Sequence, residues 1–399
     1  MTSFFEPIDL LPEDPILSIP SIFAKDQNPK KVNLGIGIYQ NAEGSSYVLP
    51  SVKKAEQALV AQALKKDYLP IDGDAQYLKS VFHLVFGSTH AFPNDTIYAA
   101  QTIGGTGALS LAAVLMKEGK NDSIALSDPS WPNHLLIFKK AGLNLINYPY
   151  QRTNQQQLEF SDMCQTIKKL PPGTAVLLHA CCHNPTGVDP SMEQWKELSE
   201  LIKKQKLMPF FDLAYQGFGD DLERDVKALR YFADQGHELL VAVSFSKNFG
   251  LYGERVGALF AFTNHAETKR KLATHVKQII RSYYSNPPLH GVRLVSTILQ
   301  SEELLLEWKK ELSSMSTRIQ KMRKLLQDGL MQKQSTHDFS YLSQQKGFFS
   351  RLNFNPKQIQ FLRNEKGIYL VENGRINIAG LNEKNSEYVI DSFVNMLNL

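Results

Sequence analysis

Four times between residues 124 and 247 a short apolar run stops abruptly at polar residues. Ile124 to Ser127 ends at Asp128-Pro129-Ser130-Trp131, and Ala175 to Ala180 ends at Cys181-Cys182-His183-Asn184-Pro185-Thr186-Gly187. Met208 to Phe211 ends at Asp212, with Tyr215 shortly after, and Leu239 to Val243 ends at Ser244-Phe245-Ser246-Lys247. Short runs with little alternation read as strands covered on both faces. Helical stretches follow them; one opens near Ser191, with Gln194 three residues on as in a capping box. Strand, polar end and helix, repeated, predict a mostly parallel sheet with ligands at the carboxyl edge of its strands.

The last of these runs carries the most chemistry. A glycine-rich turn (Gly250, Gly253) follows it, then Glu254-Arg255, then a second apolar run from Val256 to Phe262. A lysine at the mouth of a buried strand is placed for covalent work, because lysine forms Schiff bases best when partly desolvated and neutral. Ser244, Ser246 and Arg255 add hydrogen-bond donors suited to a phosphate. Lysine beside a phosphate site is the pairing that pyridoxal phosphate requires. The competing reading is a surface lysine with a solvated arginine nearby.

Earlier in the chain, Gln101 to Gly107 leads into a helix over Ala108 to Lys117, whose apolar residues at 108, 109, 111, 112 and 115 share one face. Glycines at a helix start free backbone N–H groups for an anion, although many such starts are only tight turns. Val32 to Tyr39 reads as a strand whose two glycines let a ligand or backbone approach closely. Val52 to Lys66 reads as a helix, and Tyr68 heads the loop that follows. In residues 1–14, Phe4, Phe5, Ile8, Leu10 and Leu11 are apolar, while prolines at 7, 12 and 15 forbid a helix. That stretch is an extended arm, either packed on another surface such as a second subunit or frayed. Leu304, Trp308, Leu312, Met315, Ile319, Met322 and Leu326 form one stripe of a long helix, read as a strut between two domains. Arg375 sits in an otherwise apolar strand, where it pairs with a protein carboxylate or a bound one. Asp212, taken alone, also reads as a helix N-cap.

Several classes are disfavoured. A net charge of +4 over 399 residues, with no dense basic block, argues against nucleic acid or a membrane surface as the main partner. No apolar run approaches the length of a bilayer span. The acidic, proline-rich N-terminus resembles neither a signal nor a transit peptide. The cysteines are Cys164, Cys181 and Cys182; an adjacent pair cannot easily bridge, so a reducing compartment, the cytoplasm, is expected. Nor can adjacent cysteines easily ligate one tetrahedral ion with His179 or His183, so no metal is expected.

Taken together, SFSKNFGLYGERVG, SDPSWPNH, HNPTG, FDLAYQGF, YSNPP and GRINIAG resemble the fold-type I, class I aminotransferases, and more narrowly their aspartate/aromatic subgroup. The resemblance runs nearly end to end, from DPIL near the N-terminus. It implies a large domain (47–312) with a three-layer α/β/α core that binds pyridoxal phosphate. A smaller α+β domain is built from both chain ends (15–46 and 313–399). It implies that Lys247 holds the cofactor as a Schiff base and then carries the proton as general acid and base. Asp212 pairs with the pyridine nitrogen, Tyr215 and Asn184 donate to the ring oxygen, and Trp131 stacks on the ring. Gly105, Thr106, Ser244, Ser246 and Arg255 form the phosphate cup, and Tyr68 reaches the phosphate from a neighbouring subunit. Arg375, with Gly37 and Asn184 beside it, clamps the substrate α-carboxylate. Arg281 is lent by the other subunit to a distal carboxylate, and His134 and His179 lie behind Trp131 and Asp212.

The implied protein is a homodimer with shared active sites that exchanges an amino group between aspartate or glutamate and a 2-oxo acid. An aromatic-amino-acid aminotransferase is the alternative. A lyase on the same fold and a non-catalytic binding protein are further rivals. Three departures from the commoner pattern bear on pocket shape: Phe245 for a tyrosine, Gly253 for an asparagine, and Arg351 for an apolar residue.

Overall fold

A computed structural model describes residues 3–11, 16, 18–87, 95–152, 156–333 and 337–398. Pro12, Asp14 and Pro15, used above for the arm and its boundary, lie outside them. The described strands are β1 (Val32–Asn33), β2 (Ile97–Ile103), β3 (Ser123–Asp128), β4 (Asn144–Pro149), β5 (Ala175–His179), β6 (Met208–Leu213), β7 (Leu239–Ser244), β8 (Val256–Phe262), β9 (Phe349–Arg351), β10 (Ile368–Tyr369) and β11 (Arg375–Asn377). Seven of them make one sheet in the order β2-β8-β7-β6-β5-β3-β4.

The apolar runs are continuous because both faces of this sheet are covered. Ile124, Leu126, Leu177, Phe210, Leu240 and Ala242 pack into one core with the Gly104–Glu118 and Ala266–Tyr283 helices. Their alternating neighbours Ala125, Val176, Leu178, Phe211, Val241 and Val243 pack into the other. The two-residue period of a strand thus divides one apolar run between two cores.

The expected helix after the Leu239 run is absent. β7 passes through residues 245–255 into β8, which runs antiparallel to both β7 and β2. The expected strand over Val32–Tyr39 stops at Asn33, because the Asn33 side chain accepts from the N–H groups of Gly35 and Ile36, 3.0 and 3.3 Å away. The helix expected over Val52–Lys66 spans Pro50–Gln62 and ends at Ala63 in the left-handed conformation. Ser191 and Gln194 do form the capping box of the Met192–Lys204 helix.

The helix Glu302–Lys333 buries Trp308, Leu312, Met315, Ile319, Met322 and Leu326 along one stripe, with Leu304 half-buried at its start. It packs on the His290–Gln300 helix at one end and on Ser386–Leu397 at the other. β9 pairs with β11, with Arg375 opposite Arg351, and β1 pairs with β10. In the N-terminal stretch, residues 4–7 form turns, and Phe4, Phe5, Ile8, Leu10 and Leu11 are all exposed.

Candidate active site

Parallel strands end at the same edge, so the polar residues that close β3, β5, β6 and β7 converge there. Opposite them lie β9, β11 and the irregular segment Gly35–Tyr39. A cavity of about 260 Å³ separates the two sides. Gly37, Gly105, Thr106, Trp131, Asn184, Asp212, Tyr215, Ser244, Ser246, Lys247, Arg255 and Arg375 all line it, and so does His179. Larger concavities lie elsewhere, so chemistry rather than volume singles this one out.

Lys247 leaves the end of β7 in a loop that the rest of the fold holds firmly. Trp308 Nε1 donates to the Asn248 carbonyl at 2.8 Å and stacks on Phe249 with ring centres 4.4 Å apart. The amine lies 5.0 Å from the centre of the Tyr215 ring. Burial pushes its pKa down to about 8; Asp212 pulls it up, while Arg255 and Arg375 push it down. A fraction of neutral, nucleophilic amine therefore exists near neutral pH.

Asp212 is the penultimate residue of β6 and caps no helix. Burial acts to raise its pKa. The His134 hydrogen bond and the electrostatic pull of the neighbouring His134, His179 and Lys247 outweigh that and hold the carboxyl below its ordinary value. His134 Nε2 lies 3.0 Å from Asp212 Oδ2, and His134 Nδ1 lies 2.9 Å from Ser130 Oγ. A carboxylate acceptor requires the proton on Nε2, so with a neutral ring the Ser130 hydroxyl donates to Nδ1. His134 thus stands behind Asp212, outside the cavity wall. His179 is buried beside them, and burial pushes its pKa down to about 3, so its ring stays neutral.

The Gly104–Glu118 helix opens with its N-terminus at the cavity. A Cβ on Gly105 would stand 3.0 Å from Ser244 Cβ, and one on Gly104 would stand 2.7 Å from Arg255 Nη2. Arg255 Nη1 donates to Ser246 Oγ at 3.3 Å and to the Tyr252 carbonyl at 3.1 Å. A helix N-terminus, two hydroxyls and a guanidinium bonded to a hydroxyl and a carbonyl make an anion cradle.

Arg375 occupies the other end. It is 2% exposed, and its guanidinium carbon lies 4.2 Å from the centre of the Phe349 ring. Nη1 donates to Asn184 Oδ1 at 3.2 Å and Nη2 to the Gly35 carbonyl at 2.6 Å, while Nε is buried without a partner among the described residues. Burial pulls its pKa down to about 10. A buried cation bonded, among the described residues, only to neutral groups is able to receive a carboxylate. Gly37 stands beside it, and a Cβ there would lie 3.1 Å from the Phe349 ring.

Tyr68 and Arg281 are not brought into the cavity. Tyr68 is 91% exposed, and Arg281 lies on the surface bonded to Ser285. Tyr252 and Phe349 also line the cavity and were not singled out from the sequence, although Tyr252 lies in the SFSKNFGLYGERVG stretch. Asn377 and Trp308 support the site without lining it. The first lies in the GRINIAG stretch and the second in the helical stripe, but the supporting role of neither is legible there, because each acts by bonding carbonyls far along the chain.

A parallel-sheet edge that presents a desolvated lysine, a buried carboxylate, an anion cradle and a buried arginine defines a class. The chain belongs to the family described as aminotransferase class I and II, which it matches over residues 29–393, and it is a transaminase. More particularly, it is 44% identical to an aspartate aminotransferase of Salmonella typhi over 395 residues, covering 98% of this chain and 100% of that one. The structure superposes on a crystal structure of aromatic-amino-acid aminotransferase from Burkholderia pseudomallei covalently bound to pyridoxal phosphate. The TM-score is 0.96 at 42% identity, covering 99% of this chain and 100% of that one. An aspartate aminotransferase from Saccharomyces cerevisiae cytoplasm matches at TM-score 0.96 and 36% identity, covering 99% and 98%. Among the described residues no helix is long and apolar enough to cross a membrane.

Proposed function

We propose that the enzyme transfers an amino group between aspartate or glutamate and a 2-oxo acid, using pyridoxal phosphate, in a ping-pong exchange. The observation that carries this is the buried Arg375, whose Nε has no partner among the described residues, in the same cavity as the desolvated Lys247 and the anionic Asp212.

The residues fit the cofactor. The cradle of Gly105, Thr106, Ser244, Ser246 and Arg255 suits its phosphate, and the Asp212 anion suits a protonated ring nitrogen. Lys247 would hold it, Trp131 would cover one ring face, and Tyr215 and Asn184 would donate to its ring oxygen. When bound, the cofactor supplies an electron-accepting ring that lowers the cost of removing the Cα proton. Arg375 binds and orients the α-carboxylate, with Gly37 leaving room beside it. The Lys247 amine, its basicity already lowered, takes the proton from Cα and returns it. His134 keeps Asp212 ionised and oriented.

The distal carboxylate needs a second cation, which we assign to Arg281 of a partner subunit, with Tyr68 reaching the partner's phosphate site. Both are exposed on the single chain, which suits a homodimer with shared sites. We further propose a small domain of residues 15–46 and 313–399, a large domain of 47–312, an arm of 1–14, and a cytoplasmic location. Ile36, Ile38, Leu109 and Phe349 give the cavity an apolar lining that also favours aromatic side chains. The test is a steady-state panel with 2-oxoglutarate as acceptor and aspartate, phenylalanine or tyrosine as donor. Turnover with aspartate well above the aromatic donors supports the dicarboxylate reading. The reverse order selects the aromatic one.

A further inference from the structure

The segment Gly35–Tyr39 forms one lip of the cavity, yet it belongs to no strand. Its carbonyls therefore need partners from outside a ladder. Arg375 Nη2 bonds the Gly35 carbonyl at 2.6 Å. The carbonyls of Ile36 and Ile38 both accept from one amide group: Asn377 Nδ2 lies 2.7 Å from Ile36 O and 2.8 Å from Ile38 O. Asn377 Oδ1 accepts from Ala379 N at 3.0 Å, so the amide orientation is set by its own strand end. Its backbone N–H bonds the Leu34 carbonyl at 2.7 Å. Asn377 is fully buried and stands two residues after Arg375 on β11, which puts both side chains on the same strand face.

We propose that Asn377 is the positioning residue that fixes Ile36, Gly37 and Ile38 in register with Arg375, and so sets the substrate end of the site. This rests on the reading of Arg375 as the carboxylate receptor. The two amide protons span Gly37, whose flank is filled by the Phe349 ring. The lip and the arginine are thereby carried on one short strand. Without the amide, two half-buried carbonyls lose their donors and the lip moves to find others. Asn377 touches neither Lys247 nor the anion cradle, so cofactor affinity does not depend on it.

The test uses the full-length enzyme loaded with pyridoxal phosphate, with succinate, a dicarboxylate that has no amino group to transfer, as binding probe. Asn377→Asp keeps the acceptor for Ala379 and removes both donors; Asn377→Ala removes all three bonds; Arg375→Ala is the control. The inference expects succinate to bind Asn377→Asp at least tenfold more weakly, and the KM for aspartate to rise more than kcat falls. Pyridoxal phosphate affinity, measured by absorbance, should stay within twofold. Asn377→Ala should show the same pattern where it folds, and Asn377→Asp alone decides where it does not. Succinate binding within twofold of wild type in Asn377→Asp, with Arg375→Ala impaired, overturns the role of Asn377 alone. So does parallel loss of succinate and cofactor binding, or failure of both Asn377 variants to fold, since either marks a merely structural asparagine. Unchanged binding in Arg375→Ala sinks the carboxylate-receptor reading, and this inference with it.

Discussion

His134 Nε2 donates to Asp212 Oδ2 at 3.0 Å, and Ser130 Oγ holds the far side of the same ring at 2.9 Å. Asp212 sits at the floor of the cavity with His134 behind it, where a carboxylate would otherwise take up a proton to escape burial. The consequence is a fixed negative charge that faces a lysine whose own charge is destabilised.

Asp212→Asn preserves shape and removes that charge. Exchange of the substrate Cα proton should slow by about 10²–10³-fold, as for other losses of preorganised electrostatic stabilisation, while the protein stays folded. Deuterium exchange followed by NMR measures it. A rate equal to that of wild type would reduce Asp212 to a structural residue.

Lys247→Ala removes both the covalent anchor and the proton carrier. The variant should still take up pyridoxal phosphate through the Arg255 cradle and Asp212. Transamination should fall by several orders of magnitude, of which general base catalysis accounts for about 10²–10⁴. Single-turnover absorbance measurements decide, and turnover near that of wild type removes the central assignment.

The lowered pKa of Lys247 has a signature in stability. In cofactor-free protein the folded chain releases this proton near pH 8, whereas an unfolded lysine keeps it to about 10.5. Between those values the unfolded state binds the extra proton, so this lysine's contribution becomes less destabilising as pH rises. Lys247→Met should therefore be more stable than wild type at pH 7, and the gap should narrow between pH 8 and 10.5. Urea denaturation at pH 7 and 9.5 checks it. A gap that stays constant or widens shows that the amine is not desolvated.

Gly257 supports the anion cradle from beneath. A Cβ there would stand 2.6 Å from the Gly104 carbonyl carbon and 2.6 Å from the Val243 oxygen, both backbone atoms. Gly257→Ala should cost about 1–3 kcal/mol by overpacking, and it should weaken pyridoxal phosphate binding by displacing the helix start from Ser244 and Arg255. Thermal unfolding and cofactor titration report the two effects separately. Cofactor affinity equal to that of wild type would show that the cradle does not depend on this contact.

Arg281 tests the assembly and the substrate together. Mixing Arg281→Ala with Lys247→Ala subunits yields heterodimers with one doubly altered site and one fully wild-type site, if Arg281 crosses to the partner. About half of wild-type activity per heterodimer should return. In the single variant, aspartate should lose about 3–5 kcal/mol of transition-state binding, as for one truncated buried charge pair, and phenylalanine far less. No recovery on mixing, or equal losses for both substrates, makes Arg281 a surface arginine and removes the dicarboxylate assignment.

Much of this molecule was legible because its central rule is local. An apolar run that stops at Asp212, or at Ser244-Phe245-Ser246-Lys247, reports its own strand end. Parallel pairing then brings such ends to one edge, while the role of each residue there was implied by the resemblance to the class I aminotransferases. The capping box at Ser191 and Gln194 and the stripe from Trp308 to Leu326 are equally local, each set by helical spacing within a few turns.

Tertiary structure decided what spacing cannot encode. Asn33 turned an apparent strand over Val32–Tyr39 into an irregular lip by taking two of its backbone N–H groups. Asn377, some 340 residues away, then supplied the donors that the lip's carbonyls lacked. Trp308 fixed the loop of Lys247 through one carbonyl, and His134 reached Asp212 across 78 positions. Nothing in a single chain determined where Arg281 and Tyr68 act, since both face outward. The physical reason is common to all of these. A buried polar group must find a partner, but the sequence records only that the group exists; which partner lies within 3 Å depends on how the sheet, the long helix and the chain ends are packed together.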